Sequence, residues 1–294
     1  MLFSNYFFKW FYFSTLVFLF GSAFLLIEIS LKSFPPIYIA FFRVSIAAFL
    51  LYFYSKLCGY SYNFIKRNFK LLFILGLTGT TVPFYLISHA QITINSGETG
   101  ILIGFMPIFT IIGSHFFFHY EKLNFRKILG FTLGFIGLFI LLINNASSVN
   151  LYDNIFSKLL VVAAAFFYAL NALLVKKLNS IDVIPLSACV MIISSMQLLF
   201  ILVFTRQDNL DYSTIFYDSM ISLLFMAVFS TAAATVIYYK IIQDYGPSFL
   251  SLVNYPIPIF AFFAGVIVLE EKFNFYSIIS LCLVVIAIYL SQKD

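Results

Sequence analysis

Ten apolar runs, each close to the length needed to cross a bilayer, constrain this chain more than any other feature. Bounded by charges, Pro and Asn, they cover residues 11–31, 36–54, 71–94, 98–118, 127–144, 157–177, 184–204, 219–242, 248–269 and 276–291. A spanning helix needs about 20 mostly apolar residues. None of the runs alternates apolar and polar residues as a barrel strand does. Composition points the same way: 62% of the 294 residues are apolar and 10% charged, against about 25% charged in a soluble domain. A soluble enzyme, a nucleic-acid module and a disordered chain are excluded. The net charge of +5 comes from basic residues scattered through short loops, not from a patch that would suit nucleic acid. The expected fold is an all-α integral membrane protein with ten transmembrane helices.

Loops as short as 32–35 and 95–97 force antiparallel hairpins. The first run is expected to be an uncleaved span despite the small residues Gly21, Ser22 and Ala23. The longest polar stretch, Asn144 to Lys158, divides the runs five and five, giving expected units at 1–146 and 147–294. Orientation follows from basic residues in the loops. With the N-terminus in the cytoplasm, twelve Lys and Arg fall inside, including Lys66, Arg67, Lys70, Arg126 and Lys127. Four (Lys32, Lys158, Arg206 and Lys272) fall outside, which predicts both termini inside.

One shift of 149 residues places Pro36 on Pro185, Gly97 on Gly246, Pro107 on Pro256 and Glu121 on Glu270. Because each unit holds an odd number of spans, the second copy must enter the membrane upside down. Two inverted five-helix repeats point to alternating access with a site near the midplane between them.

Phe20-Gly21-Ser22-Ala23-Phe24, followed by Pro36 and Arg43 with Ala47 and Ala48, resembles the opening of EamA-type members of the drug/metabolite transporter superfamily, with Phe20 where that family usually has Trp. Pro107, Glu121, Gly130, Gly134 and Gly137 resemble the Pro–Glu–Gly signature that closes each repeat. Pro258 with Glu271, or Pro256 with Glu270, resembles its second occurrence. The glycines that should follow are missing there, so the last helix is expected to pack with Ser280 and Ala287. The resemblance implies a ten-helix secondary transporter of small metabolites, commonly an exporter of amino acids or related compounds, in a bacterial inner membrane.

Ionisable groups inside spans are costly and mark function by default. Arg43 lies seven residues below Pro36, about 10 Å deep at 1.5 Å per residue. Glu28 is its expected partner, in a gate or a structural lock. With His89, Gln91 and Glu98 these residues form an expected polar cluster at the outer end of the first repeat. His89 is a candidate proton carrier, or a histidine bonded to a nearby carbonyl. Tyr85, Asn171, Tyr238 and Asn254 are candidate cavity lining, drawn from a larger set that includes Tyr168, Tyr239 and Tyr255; other tyrosines belong to the interfacial belt. Pro83, Pro107, Pro256 and Pro258 are expected helix breaks, as site formers or as plain kinks. Gly100 with Gly104 and Gly130 with Gly134 are spaced for close helix packing.

No metal is expected. His115 and His119 are four apart beside Glu121 but lack a third histidine, and Cys58, Cys189 and Cys282 are isolated. No nucleophile–base set or phosphate loop is present, so no enzyme activity and no cofactor are expected. The expected partners are a small-molecule substrate and the lipid bilayer, with no nucleic acid and room for a homodimer. Uptake instead of export, or a non-transporting sensor or scaffold, are the alternatives.

Overall fold

In hydrocarbon a chain must satisfy its own backbone, and a helix does so within one segment. The described residues accordingly contain helices and no strand. They comprise 2–118, 124–144, 154–204, 216–260 and 275–292 of a computed structural model. Glu121, Glu270, Glu271 and His119, all read from the sequence as landmarks, lie outside them, as does most of the expected linker.

In chain order the first half carries α1 (Leu2–Ser30), α2 (Pro36–Leu57), α3 (Phe64–Gly76), a π-helical segment at Leu77–Thr81, α4 (Val82–Ala90), α5 (Ser96–Ile103), α6 (Met106–Gly113), a π-helical segment at Ser114–Phe118 and α7 (Phe125–Asn144). The second half carries α8 (Ile155–Val175), α9 (Val183–Phe204), α10 (Tyr217–Phe225), a π-helical segment at Met226–Ala233 and α11 (Ala234–Tyr245). It continues with α12 (Pro247–Ser251), a 3-10 turn at Leu252–Asn254, α13 (256–260) and α14 (Phe275–Gln292). Among the described residues seven helical stretches are long and apolar enough to cross a membrane: Tyr6–Ser30, Pro36–Leu57, Phe64–Ala90, Ser96–Phe116, Ile155–Leu178, Val183–Phe204 and Tyr217–Tyr245.

The packing is that of a protein in lipid. Phe49, Phe200 and Val203 point outward, while Thr78, Thr81, Thr110, Ser187, Ser194 and Asn171 are buried. With no hydrophobic gain between helices, small residues and interhelical hydrogen bonds must hold the bundle. The seam between α2 and α9 illustrates this. Ala40, Ala47, Ala48 and Ala188 let the two backbones approach, and the Ser45 and Ser195 hydroxyls meet at 2.7 Å. α7 and α14 pack together as a pair at the edge of the bundle. There Gly130 lies on Ser291 and on the backbone of Ala287; a Cβ at Gly130 would sit 2.9 Å from the Ala287 carbonyl oxygen. Ala287 therefore supplies the small surface expected of the last helix.

The shift of 149 residues reappears in the backbone. Two of the three π-helical segments among the described residues begin 149 apart, at Leu77 and Met226; the third is Ser114–Phe118. The fourth apolar run is broken between Ile103 and Met106, with Pro107 in the first turn of the helix that restarts there; the ninth is broken at 252–255 and restarts at Pro256. Proline fits the first turn of a helix, where its missing N–H has no partner to lose. Pro83 occupies such a position in α4, immediately after the first π segment. Pro258 does not interrupt a span as expected: it sits within the first turn of α13, and the break lies before Pro256.

Candidate functional site

Slipping the helical ladder from i→i+4 to i→i+5 leaves a carbonyl without its usual donor, and in hydrocarbon that carbonyl needs another. Side chains from the opposite half supply it at the first π segment. Asn171 on α8 donates through Nδ2 to the Leu75 carbonyl at 3.0 Å and lies 3.3 Å from Thr78 Oγ1. Gln197 on α9 donates through Nε2 to the Phe73 carbonyl at 3.0 Å and accepts from the Thr81 hydroxyl at 2.6 Å. Gly79 makes room for this arrangement, since a Cβ there would stand 2.5 Å from Asn171 Nδ2. Asn171, expected to line the path, is instead a buried brace.

The π segment at Met226–Ala233 receives a side chain in the reverse sense. Arg43 on α2 donates from Nε to the Thr231 hydroxyl at 3.0 Å, and its guanidinium lies over the Phe84 ring, 4.0 Å from the centroid. Only 3% of the residue is exposed. The expected Glu28–Arg43 pair does not form. Glu28 accepts from the Ser96 backbone N–H at 3.1 Å, capping α5 together with Asn95, which accepts from the Glu98 N–H at 2.7 Å. A carboxylate at a helix N-terminus is well placed for the dipole, so Glu28 has a local use that draws it away from Arg43. Nη1 and Nη2 of Arg43 make no hydrogen bond to any described residue.

Arg43 faces a narrow cavity lined from both halves. Phe20, Ala23, Phe24 and Ile27 form its α1 wall; Phe84 and Ile87 come from α4, Tyr168 from α8 and Tyr238 from α11. Both helix breaks open into it, the first through Ile103 and Met106, the second through Leu250, Val253, Asn254 and Ile257. Asn254 donates to the Ser251 carbonyl and toward Met106 Sδ, both at 3.0 Å, so it joins the two breaks. The Tyr238 hydroxyl donates to the Tyr168 carbonyl at 3.3 Å.

Of the residues named from sequence, the cavity gathers Arg43, Tyr238 and Asn254, with Tyr168 from the wider tyrosine set. Glu28, Tyr85, His89, Gln91, Glu98 and Asn171 lie outside its lining. The expected outer cluster is divided among separate tasks. Gln91 donates to the Phe24 carbonyl at 3.0 Å, and Tyr85 meets the His89 ring edge-on at 5.9 Å. His89 Nδ1 is buried without a hydrogen-bond partner among the described residues. Glu98 pairs with Lys158 of α8 at 3.1 Å, both side chains nearly buried. Beside that pair the Thr93 hydroxyl reaches Ser157 Oγ at 2.7 Å and Asn154 donates to the Thr93 carbonyl at 3.1 Å. The start of α8 is thereby fastened to the 91–98 turn. Tyr255 lies deeper, its hydroxyl donating to the Phe131 carbonyl at 3.0 Å.

The apolar wall was missed, although its signal is present. Phe20, Ala23, Phe24 and Ile27 follow the i, i+3, i+4, i+7 spacing of one helix face. Thr231 was also missed; its only flag is that it lies in a run of small residues, Ser230 to Ala234.

An apolar helical bundle with a closed-in cavity, a buried cation and two broken helices defines a membrane transport protein by class. The sequence profile of the EamA-like transporter family matches residues 8–143 and again 155–292. The chain belongs to that family. It is 26% identical to an "uncharacterized transporter" of Archaeoglobus fulgidus, over 96% of this chain and 98% of that protein. It is 24% identical to "uncharacterized transporter YoaV" of Bacillus subtilis, over 92% of each. A crystal structure 14% identical in sequence shares the fold, with a TM-score of 0.76 over 96% of this chain and 95% of that one.

Proposed function

We propose that this chain moves a small metabolite across the cytoplasmic membrane by alternating access, as a secondary active or facilitative transporter. In this reading ten crossings form two inverted five-helix repeats, at 1–146 and 147–294, with both termini cytoplasmic. Export is the direction that the family resemblance favours. The observation that carries the reading is the cavity itself: it lies where the helix breaks of the two halves meet, with Arg43 in its wall. Broken helices at a repeat interface are where transporters of this kind bind. The Glu98–Lys158 pair and the Thr93–Ser157 bond join the halves beyond one end of the cavity. They would part when the site turns to that side.

The test is two-sided accessibility of the cavity. A single cysteine at Ile257, in a chain with Cys58, Cys189 and Cys282 replaced, is labelled in proteoliposomes with an impermeant thiol reagent. Labelling from each side, shifted in opposite senses by added substrate, is the expected result. Reaction from one side only under every condition, with no solute flux, would sink the reading.

A further inference from the structure

Among the described residues the charges around the cavity do not balance. Arg43 is the one formally charged described residue in the lining, and the two carboxylates nearest in sequence are committed elsewhere, Glu28 to the Ser96 N–H and Glu98 to Lys158. A buried cation left without a counter-ion is expensive. Thr231 and the Phe84 ring compensate part of the guanidinium, while Nη1 and Nη2 hold the parallel donors that suit a carboxylate. Apart from Asn254 and the tyrosines Tyr168 and Tyr238, the rest of the described lining is aromatic and aliphatic. It offers no carboxylate that would balance the charge of an ammonium.

We propose that the site takes a monoanionic amphiphile: a carboxylate held on Nη1 and Nη2 of Arg43, with an aliphatic or aromatic body against Phe24, Ile87, Met106 and Ile257, and without an ammonium group. Such a ligand makes the occupied cavity neutral. A free amino acid brings a second cation and leaves the sum at plus one. The proposal rests on reading this cavity as the transport site.

The experiment compares probes of one shape and different charge on the purified full-length chain in nanodiscs. They are 3-phenylpropanoate, 3-phenylpropanol, 3-phenylpropylamine and phenylalanine, with hexanoate as an aliphatic acid. Both acids are expected to bind, 3-phenylpropanoate at least about tenfold more tightly than the alcohol, as a hydrogen-bonded charge pair warrants. The amine and phenylalanine should bind more weakly than the acid. Arg43→Gln should bring acid and alcohol together, and Ile257→Trp should weaken all probes while keeping their order. If Arg43→Gln does not fold, the order of affinities on the unaltered chain decides. Equal affinity for acid and alcohol, tighter binding of phenylalanine or the amine, or no binding of either acid overturns the proposal. Acid binding without counterflow in proteoliposomes keeps the ligand class and removes the transporter reading. Counterflow of phenylalanine but not of the acids does the reverse.

Discussion

α2 and α9 stand in equivalent places, each laying a polar side chain on a π segment of the other half, yet the two contacts differ in kind. Gln197 is neutral and satisfied at both ends of its amide, by the Thr81 hydroxyl and the Phe73 carbonyl. Arg43 is charged, spends Nε on Thr231, and leaves Nη1 and Nη2 without a described partner beside the cavity. The first contact is a lock. The second is a lock that keeps two donors in reserve. Two otherwise similar contacts thus differ at one point, and the point is where no described residue compensates the charge.

The strongest way to break this comparison is to remove each side chain in turn. Arg43→Ala should abolish flux of any substrate, a loss of about a hundredfold or more if one charge-assisted pair of hydrogen bonds is forfeited. Gln197→Ala should leave flux within a few-fold. Proteoliposome flux at equal folded protein checks both; wild-type rates in Arg43→Ala would end the assignment of roles. Arg43→Lys sharpens it, because Lys keeps the charge but loses the planar fork. Flux should fall about tenfold, and full activity would show that charge alone suffices.

Stability should follow the opposite order. Gln197→Ala orphans the Phe73 carbonyl and the Thr81 hydroxyl, so it should cost about 1–2 kcal/mol, given about 0.6 kcal/mol for an average hydrogen bond within a membrane protein. Gly79→Ala should cost as much or more by driving Asn171 from its carbonyl. Thermal unfolding in detergent measures both, and an unchanged midpoint for Gln197→Ala would refute its role as a lock. The smallest effect expected is that of Thr231→Val, about 1 kcal/mol or less, with a modest change in substrate affinity as Arg43 loses its Nε anchor. A large loss of flux there would make Thr231 part of the binding surface.

The contrast also explains which readings of the sequence succeeded. Helical spans were legible because lipid permits few alternatives, and the limits read at 36, 184 and 204 fall within a residue or so of α2 and α9. The shift of 149 was legible through Pro107 and Pro256, and its clearest structural echo, the paired π segments, has no residue signature that a single sequence would disclose. Arg43 was legible by depth alone. Its partner was not: Glu28 is the near acid in the chain, but the hydroxyl that Arg43 finds is 188 residues away.

The sequence by itself determined that this chain is helical, membrane-embedded and duplicated in its landmarks, because the solvent of a segment is written in its composition and period. Only the tertiary structure decided which polar groups meet. Spacing along a helix gives depth and face, not the neighbour across the interface. So Asn171 became a brace, Glu98 a link between halves, and Phe20, Phe24 and Met106 the wall of a site. Among the described residues Arg43 remained without a carboxylate, because Glu28 and Glu98, the acids closest to it in the chain, were drawn to a helix terminus and a lysine.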